Sequence, residues 1–143
     1  YQMHGRMPWE DRFRARLSVP YVSAVTLLDG RCWLEQFSPE RVRGSDVARM
    51  VERVTVAPEE GRPDGTTRIS VRDRAGRHEH VAVEVAKGEP GNPLSRAEIL
   101  AKLRAAAAPV LQPAATEQVI ELTQRLDQLD DLSGLALALG ARR

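Results

Sequence analysis

Hydrophobic residues follow two spacings along this chain, helical toward both ends and strand-like in the middle. Near the N-terminus, an almost continuous apolar stretch predicts a helix from Ser18 to Leu28 that is stopped by Asp29-Gly30. Pro20 suits the first turn of this helix, where a backbone N–H has no intrahelical acceptor. The helix is apolar on nearly every side, which indicates burial. Residues 1–16 lack a clean period and are interpreted as an extended leading segment.

Shorter elements are predicted next. A helical piece is expected around Trp33 to Phe37, and Ser45 is placed to cap a further helix through Val51. Residues 54–56 read Val-Thr-Val, which favours a short strand.

A period of two in the middle of the chain predicts a β-hairpin. Thr67, Ile69 and Val71 alternate with polar residues, and Val81, Val83 and Val85 do the same after the turn at residues 73–76. We expect the valine face to point toward the core. The opposite face carries Arg68, Arg72, His80 and Glu84, and we expect cross-strand ion pairs there.

The last third of the chain reads as helices after a Gly/Pro-rich loop. Ser95 and Glu98 have the spacing of a capping box at the start of a helix. On its outer face, Glu98 and Lys102 are expected to pair. Closing helices are predicted over residues 115–139, where leucines and valines recur every three or four positions.

Composition is that of an ordinary folded domain. The chain has 143 residues, 42% of them hydrophobic and 29% charged. We therefore expect one α+β domain over residues 1–143, with a small, mostly antiparallel sheet packed against helices. The net charge of +1 provides no global attraction to nucleic acid or anionic lipid. The strands also lack the aromatic residues that an RNA-binding sheet uses for base stacking.

Cysteine content and the terminus bear on location. Cys32 is the only cysteine, so an internal disulfide is impossible and a reducing compartment is the simpler interpretation. No apolar run approaches the ~20 residues that cross a bilayer, and the first residues do not resemble a signal peptide. We expect a cytoplasmic protein with no membrane partner. The chain begins with Tyr1 instead of Met, which is compatible with a fragment or a processed product.

The order of these segments resembles the C-terminal region of the MmgE/PrpD family. The loop reading G-E-P-G-N-P-L-S at residues 88–95 leads into a helix reading E-I-L-A-K-L, as in that family. Residues 15–21 resemble the segment that opens the family's buried helix, and residues 126–132 resemble its closing helix. The resemblance runs from about Phe13 to Leu132. Known members are 2-methylcitrate dehydratases, cis-aconitate decarboxylases and an iminodisuccinate epimerase.

The resemblance implies an incomplete active site. Full-length members have a large helical domain that carries the catalytic histidines and mostly precedes this region, and a basic Lys/Cys/His motif that this sequence lacks. The resemblance implies neither a metal nor an organic cofactor. The leading expectation is part of a lyase- or isomerase-type enzyme acting on a small polycarboxylate, completed by a second polypeptide or by self-association. The alternative is a non-catalytic module that stabilises a helical partner.

Three residues near the start of the Ser18–Leu28 helix are candidate site residues; the resemblance implies only the first, and residue chemistry suggests the other two. Tyr21 matches an active-site tyrosine and is the expected catalytic residue, because a hydroxyl at a helix start suits binding or protonating a carboxylate. Its alternative role is that of a core aromatic. Ser18 and Arg16 are expected to bind substrate, Ser18 at the helix terminus and Arg16 by a bidentate contact. Their simpler roles are an N-cap and a solvated cation.

Other chemically capable residues have simpler explanations. His78, His80 and Glu84 share a predicted strand face, but two histidines on a polar face are usually solvated and we expect no metal site. Cys32 is more typical of a small buried residue than of a nucleophile. The Gly88–Asn92 loop lacks the lysine and hydroxyl residue of a phosphate-binding loop.

Overall fold

The computed structural model describes residues 12–58, 60–61, 63 and 65–140. Within them lie seven α-helices, two 3₁₀ turns and one two-stranded antiparallel sheet, which confirms the α+β class. Two compact units divide the chain, Tyr1–Gly61 and Arg62–Arg143. That residues 1–143 form a single domain stays a prediction.

The first unit is helical throughout its regular elements. They are α1 (Arg12–Arg16), α2 (Val19–Asp29), a 3₁₀ turn (Leu34–Phe37), α3 (Pro39–Val42) and α4 (Ser45–Val51). The interpretation of residues 1–16 as extended is wrong for Arg12–Arg16, and residues 1–11 lie outside the described part. The strand expected at residues 54–56 is also wrong, since these residues have no regular structure. Gly44, not Ser45, is the N-cap of α4.

Helix α2 has the ends that its sequence predicts. Ser18 is the N-cap, and its Oγ accepts a hydrogen bond from the Tyr21 backbone N–H at 3.2 Å. Gly30 takes the left-handed conformation at φ 72° and donates its N–H to the Thr26 carbonyl at 2.9 Å.

Only one face of α2 is buried. Tyr21, Ala24 and Val25 are completely buried, whereas Leu27 and Leu28 are exposed. The expectation that the whole helix is buried is therefore wrong for this chain. The core of the first unit consists of the buried residues Ala15, Tyr21, Ala24, Val25, Val42, Val47 and Val51.

The second unit begins with the predicted hairpin, β1 (Thr67–Arg72) and β2 (His78–Val83). Ile69 lies opposite Val81, and Gly76 closes the turn with φ 83°. Neither arginine of the polar face lies opposite a carboxylate, because Arg68 faces Ala82 and Arg72 faces His78. The directly opposed residues are therefore not ion pairs, and cross-strand pairing of the polar face through diagonal neighbours stays a prediction.

The valine face of the hairpin is exposed. Val81, Val83 and Val85 all retain more than a third of their accessible surface. The expectation that they point into a core is wrong for the described part of this chain.

Three helices complete the second unit: α5 (Arg96–Ala107), α6 (Pro113–Gln124) and α7 (Ser133–Gly140), with a 3₁₀ turn at Leu126–Gln128. The capping box of α5 is confirmed, with Ser95 N donating to Glu98 Oε2 at 2.7 Å and Glu98 N donating to Ser95 Oγ at 3.2 Å. Glu98 pairs with Lys87 at 3.2 Å instead of Lys102, because the loop returns Lys87 to the helix start.

Candidate functional site around Tyr21

Tyr21 and Ser18 lie together at the start of α2, and both are completely buried. The Tyr21 hydroxyl donates a hydrogen bond to the backbone carbonyl of Gln36 in the first 3₁₀ turn. Burial raises the pKa of Tyr21 to about 12, an effect that the nearby Arg41 charge partly offsets. At neutral pH this hydroxyl is therefore protonated and acts as a hydrogen-bond donor.

Arg16 reaches the same cluster through Phe37. The Phe37 ring lies 5.7 Å from the Tyr21 ring, measured between centroids, and is tilted by 36°. The Arg16 guanidinium carbon lies 5.5 Å from the Phe37 centroid, within cation–π range. The structure thus brings the three expected site residues into one region, with Arg16 exposed and the other two buried.

A polar network surrounds the turn that receives the Tyr21 hydroxyl. Gln36 Nε2 donates to Asp29 Oδ2 at 3.1 Å, and Gln36 Oε1 accepts from the Trp33 backbone N–H at 3.0 Å. Arg41 donates from Nε and Nη2 to Asp29 at 3.0 and 2.6 Å, and from Nη1 to both Asp46 oxygens at 2.9 Å. One arginine therefore connects the end of α2 with the start of α4.

Hydrogen bonding to Arg41 determines the protonation states of Asp29 and Asp46. The Arg41 hydrogen bonds lower the pKa of both Asp29 and Asp46, and they raise the pKa of Arg41. Both carboxylates are ionised at neutral pH and are weak bases. Residues 12–58 contain no histidine or lysine, so no common general base of those types lies in this part of the unit.

Sequence reasoning missed Gln36, Asp29, Arg41 and Asp46 as members of this cluster. They come from two helix ends, a turn and a short helix, and their spacing follows no period. Only the position of Asp29 beside the predicted helix stop hinted at a local role.

The other candidates do not form a competing site. Among the described residues, no group of three His, Cys, Asp or Glu side chains is placed to hold a metal ion, and this includes His78, His80 and Glu84. Burial raises the pKa of the Cys32 thiol, which disfavours the nucleophilic thiolate.

The second unit contains an open groove of about 390 Å³ between α5 and α6. Its lining is mainly apolar. Its charged lining residues, Arg104 and Glu117, pair with each other at 2.6 Å, so their charges are largely neutralised. This groove therefore offers little to recognise a small polycarboxylate.

The family model of the MmgE/PrpD C-terminal domain matches residues 1–128. The chain belongs to this family. No curated protein matches the chain. The MmgE/PrpD match includes the Tyr21 cluster, the hairpin, α5 and α6, whereas α7 lies beyond it. It relates the chain to a family of dehydratase-like enzymes. None of the described helices has both the length and the apolar character needed to cross a membrane.

Proposed function

We propose that this chain forms part of a lyase- or isomerase-type enzyme that acts on a small polycarboxylate. The reaction class is proton transfer at a carbon next to a carboxylate: proton abstraction followed by loss of water in a dehydration, or loss of carbon dioxide followed by protonation of the resulting carbanion in a decarboxylation. The observation that supports it is a buried tyrosine, held protonated at a helix start, in a chain of the MmgE/PrpD family.

Each site residue has a role that fits its position. Tyr21 donates its hydroxyl hydrogen to a substrate carboxylate or to the departing oxygen, because its raised pKa keeps it protonated. Ser18 contributes to the substrate site at the start of α2, where its Oγ also caps the helix by accepting from the Tyr21 backbone N–H. Arg16, exposed beside Phe37, attracts and binds a second carboxylate.

The catalytic base is proposed to come from a second polypeptide that carries the family's helical domain. Asp29 and Asp46 are unsuitable because Arg41 lowers the pKa of both. The exposed apolar side chains of Phe13, Leu17 and Val19, close to Ser18 in sequence, provide a surface for such a partner.

Tyr21→Phe in the complex with that partner tests the proposal. Turnover on a methylcitrate-like or cis-aconitate-like acid is expected to fall about 100-fold, the usual scale for one proton donor. Stability is expected to fall by about 1–3 kcal/mol, because the buried Gln36 carbonyl loses its donor. Tyr1→Phe makes the same chemical change at the other tyrosine and is the control for turnover. Unaltered turnover in folded Tyr21→Phe would remove Tyr21 from the active site.

A non-catalytic stabilising module is the second candidate function. The hydrogen bond from the buried Tyr21 hydroxyl to Gln36 favours it, since such a contact also anchors a core. In that case Tyr21→Phe lowers the thermal midpoint and leaves the turnover of each folded complex unchanged. A loss of stability is expected in both cases, so the turnover of each folded complex separates the two functions.

A further inference from the structure

We propose that Gln36 is a positioning residue for Tyr21: its side chain fixes the backbone carbonyl that receives the Tyr21 hydroxyl hydrogen. The chemical purpose of this arrangement rests on the proposed function, in which Tyr21 donates to a carboxylate. The geometric part concerns the resting state and is testable without turnover.

Gln36 contacts both sides of the turn in which it lies. Its backbone carbonyl accepts from Tyr21, while its side chain accepts from Trp33 N and donates to Asp29 Oδ2. Gln36 is only 7% exposed, so water competes little for these bonds. The carbonyl is therefore tied to the end of α2, the same helix that carries Tyr21.

Asp29 is itself held in place by Arg41. The guanidinium makes two hydrogen bonds to Asp29 and two to Asp46, so the Asp29 carboxylate cannot rotate away from Gln36 without breaking the Arg41 contacts. Arg41, Cys32, Asp29 and Asp46 are among the charged or titratable groups that act electrostatically on Tyr21. The network thus fixes the groups around the hydroxyl as well as its acceptor.

Because the Gln36 carbonyl is fixed, the Tyr21 hydroxyl is held in one orientation, ready to donate to a charged acceptor such as a carboxylate. A neutral carbonyl is a weaker acceptor than a carboxylate, because hydrogen bonds to ionised groups are stronger. A substrate carboxylate that reaches the hydroxyl therefore replaces the Gln36 carbonyl as its hydrogen-bond acceptor. This exchange needs only rotation of the hydroxyl about the Tyr21 ring carbon–oxygen bond. A loosely held carbonyl would leave the hydroxyl in several orientations and lower the fraction that is ready to donate.

The direct test is the NMR signal of the Tyr21 hydroxyl proton in the full chain, assigned by its disappearance in Tyr21→Phe. Gln36→Met removes both side-chain hydrogen bonds at similar volume and is expected to accelerate exchange of this proton about tenfold. Glu35→Gln changes the adjacent residue of the same turn, whose side chain forms an exposed pair with Arg31, and is expected to leave exchange unchanged. Unaltered exchange in folded Gln36→Met would overturn the proposal.

A rescue experiment covers the case in which Gln36→Met does not fold. Gln36→Glu places a second carboxylate against Asp29 and is expected to accelerate exchange. Adding Asp29→Asn removes the repulsion and restores a hydrogen bond between the two side chains with reversed direction, at the cost of one Arg41 hydrogen bond. It is expected to return exchange part of the way toward the wild-type rate. A double variant that exchanges as fast as Gln36→Glu would overturn the proposal, because a general structural role predicts additive damage.

Turnover of the complex tests the role of Gln36 independently of hydroxyl-proton exchange. In the complex with the helical partner, Gln36→Met is expected to lower kcat about tenfold with KM unchanged, because donation by Tyr21 is affected and substrate contacts are kept. A wild-type complex without turnover on the tested acids contradicts the proposed function, and hydroxyl exchange then decides the positioning role alone. The two failures are thus distinguishable.

Discussion

At the residue scale, Gly44 shows how closely the Arg41 network is packed. A Cβ at this position would lie 2.8 Å from Asp46 Oδ1 and 3.1 Å from the Arg41 carbonyl oxygen. Gly44→Ala is therefore expected to destabilise the first unit by about 1–3 kcal/mol, as overpacking does elsewhere. Denaturant unfolding of the full chain measures this loss.

Gly134→Ala is the matched control for that substitution. Gly134 lies in α7, and a Cβ there would meet only Leu122 Cδ1 at an ordinary 3.7 Å. Alanine in this helix is expected to stabilise by about 0.5–1 kcal/mol. If both alanines were equally harmless, the tight contact between Arg41 and Asp46 would not exist in solution.

The sequence was a good guide to some site residues and a poor one to others. Ser18 and Tyr21 share a capped helix start, a local pattern that sequence spacing reveals. Asp29, Gln36 and Arg41 meet only after α2, the 3₁₀ turn and α3 have packed, so no local rule links them. The family resemblance did not supply them as site residues either, since it carried over only Tyr21 as an active-site position.

At the element scale, the capping box makes the start of α5 sensitive to acid. The Ser95 side chain and backbone, together with Lys87, lower the pKa of Glu98 from 4.5 to about 2. A carboxyl whose folded pKa is lowered contributes stability that is complete above about 4.5 and is lost as the pH falls toward 2. Helix content, followed by circular dichroism during an acid titration, is expected to decrease within this window.

Glu98→Gln isolates the charge from the hydrogen bond. The amide oxygen still accepts from Ser95, but the side chain no longer titrates or pairs with Lys87. The variant is expected to start with lower stability at neutral pH and to lose less between pH 4.5 and 2. Glu89→Gln removes one carboxylate from the preceding loop and controls for net charge. An identical acid response in all three proteins would contradict the assignment to Glu98.

Aspartate substitutions in the hairpin and in α2 test which valines are buried. Val81 is 60% exposed and faces Ile69 across the ladder, so Val81→Asp is expected to cost about 1 kcal/mol or less. Val25 is completely buried in α2, and Val25→Asp is expected to unfold the first unit by burying an unpaired charge. Circular dichroism and thermal unfolding compare the two. Unfolding by Val81→Asp would restore the original expectation of a buried valine face.

Periodic elements were predicted well, and short ones were not. Helix α2, the hairpin and α5 each show several repeats of their pattern, with recognisable ends. Helix α1 has only five residues, too few for a period, and it is held mainly by packing of Ala15 into the core. Residues 54–56 are strand-forming types, but a strand also needs hydrogen bonds from a neighbouring strand, which composition does not encode.

At the scale of the whole molecule, exposed apolar side chains predict association with the helical-domain chain. Phe13→Ser with Leu17→Ser removes two exposed hydrophobic side chains near the start of α2. The dissociation constant is expected to rise at least about tenfold, since each buried apolar side chain contributes about 1.5–3 kcal/mol. Isothermal titration with that partner measures the change, and the thermal midpoint of the chain alone is expected to stay constant.

Leu137→Ser is the control for this association. Leu137 is 76% exposed but lies in α7, beyond the residues that match the family. It is expected to leave the affinity unchanged. A chain that light scattering shows to be a well-folded monomer, and that has no affinity for a helical-domain chain of the family, would sink the two-chain proposal.

Cys32 is a natural chemical reporter for the first unit. It is the only thiol in the chain, and it packs against the same core that surrounds Tyr21. A soluble disulfide reagent reacts with the thiolate, so burial slows labelling both by limiting access and by raising the thiol pKa. Because the thiol is only partly buried, its labelling rate reports how accessible this edge of the core is in the folded state and increases when the core opens locally. Comparing this rate between variants thus follows changes in the packing of the Tyr21 region without introducing a probe.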